Sequence, residues 1–294
     1  MNRELTDRLC LGTAQFGLNY GIANKNGKIT RGEVYRILDY AHDSGIRYLD
    51  TAFLYGDSEN IIGDFISQSG KEFKVISKMP PMNGKSAFAI EEYCVEILSR
   101  LKRSEIYGCL VHKFDDVVNN KDLWSKLESL KKKGMFCIIG FSLYKIEELK
   151  YLLNNNIRFD IIQVPYNIFD QRFEECLPVL KKMKTGIYSR SVFLQGLFFL
   201  ETDRIDRDFR SAKEALGKLH DISAHYEIPL NALCLCFVLS DLSIDKVVIG
   251  VDSMKHLKEN LDSLEHYDKT RDIREELRLL KFHDEKVILP CNWN

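Results

Sequence analysis

The amino-acid sequence predicts an α/β fold, a single TIM barrel of the (β/α)8 type, and three observations lead to this prediction. Short β-branched or aromatic runs recur along the 294 residues, and each precedes a longer stretch with helical spacing of apolar side chains. No Pro-, Gly- or Ser-rich linker interrupts this alternation. The alternation occurs eight times, which is the number of units that closes a barrel.

The predicted elements follow one another along the whole chain. Strands are predicted at 9–13, 46–50, 73–78, 107–112, 136–141, 159–164, 186–190 and 246–249. Helices are predicted at 31–44, 57–68, 86–102, 121–133, 145–154, 171–183, 208–226 and 254–265. Thr30 and Glu33 have capping-box spacing at the start of the first helix, which ends at Gly45. The third helix has one apolar face, made by Ile90, Cys94, Ile97, Leu98 and Leu101.

A doubly wound open sheet is the competing architecture for this alternation. That fold places a G-x-G-x-x-G turn after its first strand, whereas the sequence here is GTAQFG at 12–17. The barrel is therefore the preferred interpretation. In such barrels the active site lies at the carboxyl ends of the strands.

The charge balance counts against a nucleic acid partner. The chain has 42 Lys and Arg against 43 Asp and Glu, a net charge of −1, and no dense basic block. The tightest run, LKKKG at 130–134, is interpreted as a solvated helix end. No apolar run approaches the roughly 20 residues that span a bilayer, and the first residues lack an apolar signal region. We therefore expect no membrane contact.

The cysteine pattern predicts a cytoplasmic protein without a metal site. The eight cysteines are scattered, and none has CxxC or Cys/His ligand spacing. Buried free thiols in a reducing cytoplasm explain this pattern better than disulfides or zinc. The oligomeric state stays open.

Polar side chains stand at the ends of most predicted strands: Asp50, Lys78, His112, Ser142, Gln163 and Asn167. Taken singly, Asp50 is explained as a helix cap, Lys78 as a strand leaving the core, and His112 as a satisfied core histidine. Together they suggest chemistry, because a buried Asp50 needs a partner and Lys78 ends the next strand.

Tyr55 lies one short turn beyond Asp50 and is the candidate proton donor. We expect the ammonium of Lys78 to favour its phenolate and to lower the pKa of Tyr55 from about 10. His112 would donate a hydrogen bond to the same substrate oxygen. The implied reaction delivers a proton to a carbonyl oxygen as a hydride reaches the carbon, or the reverse.

The motifs GTAQFG, GIRYLDTAFLYG, LVHKFDD, GFS, QVPYN, RSVFLQG and IGVDSMKHLKEN, together with Lys78, resemble those of the aldo-keto reductases. The resemblance runs in order over about 9–265 and implies a single domain, 1–294, whose tail at 266–294 packs near the substrate pocket. It implies an NAD(P)-dependent oxidoreductase in which Tyr55 is the general acid or base. Asp50 and Lys78 would tune its pKa, and His112 would orient the carbonyl.

The same resemblance implies NADP(H) or NAD(H) as cofactor and no metal. The implied contacts are Gly12, Thr13, Asp50, Ser142, Gln163, Arg190, Ser191, Leu194, Gly196, Gly250, Ser253, Lys255, Glu259 and Asn260. Leu143 stands where an asparagine often follows the serine, and Arg190 stands where many relatives stack a tyrosine on the nicotinamide. Asp252 and His256 occupy positions where NADP-preferring relatives carry Lys or Arg, so the choice between cofactors stays open.

The expected substrate is a small carbonyl compound or its alcohol, an aldehyde or a sugar. Its walls are expected in the segments 191–207 and 286–294, with Phe16, Phe53, Phe193 and Trp293 as candidate aromatic contacts. Two alternatives remain. One is a non-enzymatic sensor that binds a nicotinamide on the same fold, and the other is a barrel isomerase that uses Lys78 as a Schiff-base amine.

Overall fold

The computed structural model describes residues 3–22, 24, 27–201 and 207–293, so residues 202–206 of the predicted pocket segment lie outside the described residues. Eight parallel strands pair in chain order, and the last pairs with the first to close a barrel. The predicted fold is confirmed. The strands are β1 Leu9–Gly12, β2 Tyr48–Asp50, β3 Lys74–Met79, β4 Ile106–Val111, β5 Phe136–Ser142, β6 Ile161–Pro165, β7 Gly186–Arg190 and β8 Lys246–Gly250.

Helices follow the strands and surround the barrel. Within the described ranges they are α1 Arg3–Asp7, α2 Ala14–Gly17, α3 Arg31–Asp43, α4 Ser58–Ser69, α5 Ala87–Arg100, α6 Asp115–Asn119, α7 Leu123–Lys132, α8 Ile146–Asn154, α9 Leu177–Lys182, α10 Lys213–Tyr226, α11 Leu230–Leu239, α12 Met254–Asp262, α13 Tyr267–Asp272, α14 Arg274–Arg278 and α15 Glu285–Ile288. Each of the eight predicted helices overlaps one of these.

The predicted helix at 171–183 is wrong over its first residues. A loop occupies them because the Asn167 carboxamide oxygen accepts from the backbone N–H groups of Phe169 and Asp170, which holds a turn. A 3₁₀ turn at Glu174–Cys176 precedes α9. Similarly, the predicted helix at 208–226 begins with a 3₁₀ segment, Arg207–Ala212.

The sequence analysis did not assign α11. Its residues 232–239 are all buried, so the helix is apolar on every side and has no amphipathic spacing to signal it. No single helix in the described ranges is long and apolar enough to cross a membrane. Only the joined pair Phe209–Tyr226 and Leu230–Leu239, bent by 95°, reaches the required length and composition.

The barrel interior is filled towards the amino ends of its strands. Cys10, Tyr48, Ile76, Leu110, Ile161, Tyr188 and Val248 form a small apolar cluster there, separate from the large core between strands and helices. The ammonium of Lys246 lies 4.0 Å from the ring centroid of Tyr48. Packed side chains therefore occupy this half of the barrel, and open space is left at the carboxyl ends.

Candidate active site

A cavity of about 770 Å³ opens at the carboxyl ends of the strands. Side chains or backbone from every strand end reach it, through Gly12, Asp50, Lys78, His112, Ser142, Gln163, Arg190 and Gly250. The cavity continues outward to the start of α12, where Asp252, His256, Glu259 and Asn260 line it. It is therefore elongated, with a catalytic end inside the barrel and an outer end beside α12.

Asp50 and Lys78 form a buried ion pair at the bottom of the cavity. The Lys78 ammonium donates to both carboxylate oxygens of Asp50 at 2.7 Å and to the backbone oxygen of Thr51 at 3.0 Å. The Gln163 amide donates to the same carboxylate at 2.7 Å. All three donors of the ammonium are used, so both charges are compensated.

This pairing counts against the isomerase alternative. A Schiff base forms from a neutral amine, and the ion pair with Asp50 stabilises the charged form of Lys78.

The structure reverses the expectation for the pKa of Tyr55. Burial raises this pKa well above its usual value, the negative charge of Asp50 adds to the rise, and Arg190 opposes it. The Lys78 ammonium lies 5.2 Å from the Tyr55 ring centroid, but its charge is compensated by Asp50. The expectation of a lowered pKa is therefore wrong for this structure. Tyr55 holds its phenolic proton, as a group that protonates a carbonyl oxygen must.

His112 stands beside Tyr55. The two rings meet edge to face with their centroids 6.2 Å apart. Burial lowers the pKa of His112 to about 3, and the positive charges of Lys78 and Arg190 contribute to this shift. The imidazole is thus neutral near pH 7 and has one N–H to donate.

Close backbone packing holds Tyr55 in place. A Cβ atom on Gly17 would lie 1.7 Å from the Tyr55 carbonyl oxygen, and one on Gly56 would lie 2.6 Å from the Gly17 oxygen. Ser58, just beyond, donates to the Thr13 hydroxyl at 2.8 Å. Gly17 and Gly56 are the last residues of the motifs GTAQFG and GIRYLDTAFLYG, but neither they nor Ser58 were predicted as site residues.

Only one of the four predicted substrate-pocket aromatics, Phe193, lines the cavity. Phe16 is fully buried in the core, because α2 turns it inward. Phe53 lies under the guanidinium of Arg100, which is 3.7 Å from its ring centroid. Trp293 packs on Phe209 and donates to backbone oxygens at the end of the chain. The structure therefore places these three outside the cavity.

Three other aromatic residues line the cavity: Tyr20 and Tyr144, which were not predicted from the sequence, and Phe199, which lies in the predicted wall segment 191–207. Tyr20 is joined to the loop after β7, because its hydroxyl accepts from the Gln195 amide at 3.0 Å and the Ile22 N–H donates to the Gln195 carbonyl. Tyr144 lies two residues after the end of β5, a position that could have been selected by the same rule as Ser142.

Most predicted cofactor contacts line the same cavity: Gly12, Thr13, Asp50, Ser142, Gln163, Arg190, Ser191, Gly196, Gly250, Glu259 and Asn260. Leu194, Ser253 and Lys255 do not belong to this lining. Leu194 is buried in the core. The Ser253 hydroxyl caps α12 by accepting from the His256 N–H, and Lys255 is 80% exposed and lies 3.6 Å from Glu259.

The outer end of the cavity is acidic. The Asp252 carboxylate lies 2.5 Å from the imidazole of His256, and Glu259 lines the cavity one turn further along α12. The Glu33 carboxylate accepts from the Met254 N–H at the start of this helix. The Glu33 carboxylate therefore already occupies the position at the N-terminus of α12 that would favour a bound anion.

The shape and polarity of the cavity fit a nicotinamide dinucleotide. The elongated space joins the catalytic end to α12. The buried Oε1 atom of Gln15, which belongs to the lining residues, has no hydrogen-bond partner among the described residues and is available to a ligand donor. Within the same part of the chain, His, Cys, Asp and Glu side chains form no group of three that would hold a metal ion.

Known proteins resemble this chain along most of its length. A family model described as the Aldo/keto reductase family matches residues 8–277. The uncharacterised oxidoreductase YqkF of Bacillus subtilis is 24% identical and covers 96% of this chain and 98% of its own. An aryl-alcohol dehydrogenase of Pestalotiopsis microspora is also 24% identical, over 91% of this chain and 77% of its own. The solved structure of aldo-keto reductase AKR11C1 from Bacillus halodurans (holo form) superposes with a TM-score of 0.74 at 20% identity, covering 95% of this chain and 94% of its own. Because the family model matches most of its length, this chain belongs to the aldo/keto reductase family.

Proposed function

We propose that the protein is a nicotinamide-dependent oxidoreductase that interconverts an aldehyde or ketone and its alcohol, with Tyr55 as the general acid or base. The observation that carries this proposal is the convergence of Tyr55, His112 and the Lys78–Asp50 pair at one end of one cavity. Membership of an oxidoreductase family supports it.

The roles follow from the charges. Tyr55 keeps its proton in the resting site and donates it to the carbonyl oxygen as negative charge develops there. The neutral His112 donates a second hydrogen bond to that oxygen and orients it. The Lys78–Asp50 pair is fixed beside the Tyr55 ring, with the ammonium 5.2 Å from the ring centroid. The bound nicotinamide supplies or accepts the hydride.

The cofactor would occupy the cavity from end to end. We expect Ser142 and Gln163 to contact its carboxamide, because both line the catalytic end. At the outer end, the carboxylates of Asp252 and Glu259 disfavour a 2′-phosphate, whereas a carboxylate accepts readily from a ribose hydroxyl. We therefore infer that NADH is preferred to NADPH.

The substitution Tyr55→Phe tests the proposed chemistry. We expect carbonyl reduction to fall by about 100-fold to 10,000-fold, since the variant has no phenolic proton to transfer. Turnover is followed by NADH or NADPH absorbance with a panel of aldehydes and sugars, and cofactor affinity by fluorescence quenching. Tyr151→Phe, on the exposed side of α8, is the matched control.

Two outcomes would contradict the proposal. Unchanged turnover in the Tyr55→Phe protein would remove Tyr55 from the reaction. Tight cofactor binding by the unmodified protein without oxidation of NADH or NADPH by any carbonyl compound in the panel would favour the sensor alternative.

A further inference from the structure

Arg190 places a guanidinium within the catalytic end of the cavity. It is the last residue of β7, and its side chain reaches across the end of β6 to β5, where Nη2 donates to the Leu143 carbonyl at 2.8 Å. The guanidinium carbon lies 3.9 Å from the ring centroid of Tyr144. One face of the group is therefore covered by an aromatic ring, and its position is held by β5.

No carboxylate in the described part of the chain compensates the charge of Arg190. Among the described residues, no carboxylate forms an ion pair with it, and its second contact is a long one of 3.4 Å between Nη1 and the Ser191 hydroxyl. A guanidinium carries five N–H donors, so several remain for a ligand. Asp50, the acid that lines the catalytic end, already accepts from Lys78 and Gln163.

The catalytic end therefore carries one uncompensated positive charge. The Lys78–Asp50 pair is neutral overall, His112 is neutral, and Tyr55 keeps its proton. Arg190 is half-buried, and a charge that is partly withdrawn from water is stabilised when an anion approaches it. The N–H groups of a guanidinium lie in its plane, so they stay free when an aromatic ring stacks on its face. Arg190 can therefore contact a nicotinamide ring with its face and an anion with its N–H groups.

We propose that Arg190 binds the carboxylate of the substrate, so that the protein acts on carbonyl compounds that carry a carboxylate. This inference rests on the proposed function. A carboxylate matches the single positive charge and the planar geometry of a guanidinium, whereas a phosphate dianion leaves negative charge uncompensated. The aromatic side chains of Tyr20, Tyr144, Phe193 and Phe199 would contact the apolar body of the substrate.

Matched substrate pairs test this assignment. We would compare kcat/KM for terephthalaldehydic acid and its methyl ester, and for succinic semialdehyde and its methyl ester, with NADH present. We expect the acids to be preferred by about 10-fold or more, the usual effect of a charge-assisted hydrogen bond. In Arg190→Gln this preference is lost mainly through a higher KM for the acids, and Arg190→Lys retains part of it.

Arg158→Gln is the matched control, because it removes the same charge from an exposed position before β6. Its acid-to-ester ratio should equal that of the unmodified protein. An equal preference for acid and ester in the unmodified protein, or a preference that survives Arg190→Gln, would overturn the proposal. Glyceraldehyde phosphate and glyceraldehyde form a third pair. If the preference for the phosphate compound exceeds the preference for the acids and is lost in Arg190→Gln, the site binds phosphate and the carboxylate assignment is wrong.

A binding measurement separates this inference from the proposed function. Calorimetric titration of the cofactor-free protein with terephthalate requires no turnover. We expect binding by the unmodified and Arg158→Gln proteins and at least about 10-fold weaker binding by Arg190→Gln. If all carbonyl substrates are inert but this pattern holds, the anion site stands and the proposed reaction fails. If carbonyl compounds are reduced but terephthalate binds all three proteins alike, only the anion site fails.

Discussion

At the level of single residues, the two ends of the cavity differ in charge. The catalytic end has the neutral Lys78–Asp50 pair and Arg190, which forms no ion pair with a described residue, whereas the outer end has the carboxylates of Asp252 and Glu259. Because His256 is in contact with Asp252 and Lys255 with Glu259, these side chains are already engaged and are poorly placed for a phosphate. Under the proposed function, cofactor preference therefore depends on a small number of side chains around α12.

The substitution Asp252→Asn should make NADPH bind better relative to NADH. In the proposed complex Asp252 faces the adenosine ribose, so removing its charge should lower the ratio of the two dissociation constants, NADPH over NADH, by about 5-fold, the effect of roughly 1 kcal/mol at a partly exposed charge. Fluorescence titration with each cofactor measures it. Asp262→Asn, at the exposed far end of α12, is the control and should leave the ratio unchanged. A ratio that stays constant in Asp252→Asn would show that this carboxylate does not face the ribose.

At the level of elements, the segment after β1 positions the segment after β2. The glycines at 17 and 56 bring the two backbones into direct contact, and Gly56 has a φ of 53°, which favours glycine. Side-chain hydrogen bonds of Ser58 with Thr13 join the same two segments. On the outer side, Arg100 donates to the Phe53 carbonyl at 3.1 Å. The position of Tyr55 thus depends on contacts between elements that are distant in sequence.

The substitution Gly17→Ala should displace Tyr55. The added methyl group would meet the Tyr55 carbonyl oxygen, a backbone atom that cannot move aside, so we expect a loss of roughly 1–3 kcal/mol in the free energy of unfolding. The kcat should fall more than KM rises, because the proton donor moves while the cofactor site is retained. Urea denaturation and steady-state kinetics measure the two effects.

Gly217→Ala is the control for this substitution, because it lies inside α10 and a Cβ there meets nothing within 4 Å. It should be neutral or slightly stabilising. Equal behaviour of the two variants would show that the packing of Gly17 does not hold Tyr55.

At the level of the whole molecule, closure of the barrel creates the site. Pairing of β8 with β1 places Gly250 beside Gly12 in the register, so residues from the two ends of the barrel sequence share one cavity. Closure also buries ionisable groups. The neutral state of His112 is a property of this enclosure, because burial is the main cause of its lowered pKa.

His112 should make the fold sensitive to acid. Its pKa is about 3 in the folded protein against an ordinary value of 6.5, so the unfolded chain takes up the proton first as the pH falls. Stability contributed by the neutral imidazole is therefore present above pH 6.5 and is lost progressively as the pH falls towards 3.

The test compares the free energy of unfolding across this pH range for the unmodified protein and for His112→Gln. The variant should lose less stability on acidification, since it has no proton to bind at this position. His283→Gln, at an exposed position, is the control. Parallel pH curves for the unmodified protein and His112→Gln would refute the assignment.

The sequence by itself determined the fold class, the order of strands and helices and the positions of Asp50, Tyr55, Lys78 and His112. It did so because apolar periodicity and strand-end polarity are local patterns, which short segments carry within themselves. It did not determine α11, which is buried on all sides and so lacks periodicity, or the glycine contacts that hold Tyr55. The pKa of Tyr55, the uncompensated charge of Arg190 and the aromatic walls of the cavity were decided only by the tertiary structure. Burial and electrostatic compensation depend on which distant residues barrel closure brings within a few ångströms of one another.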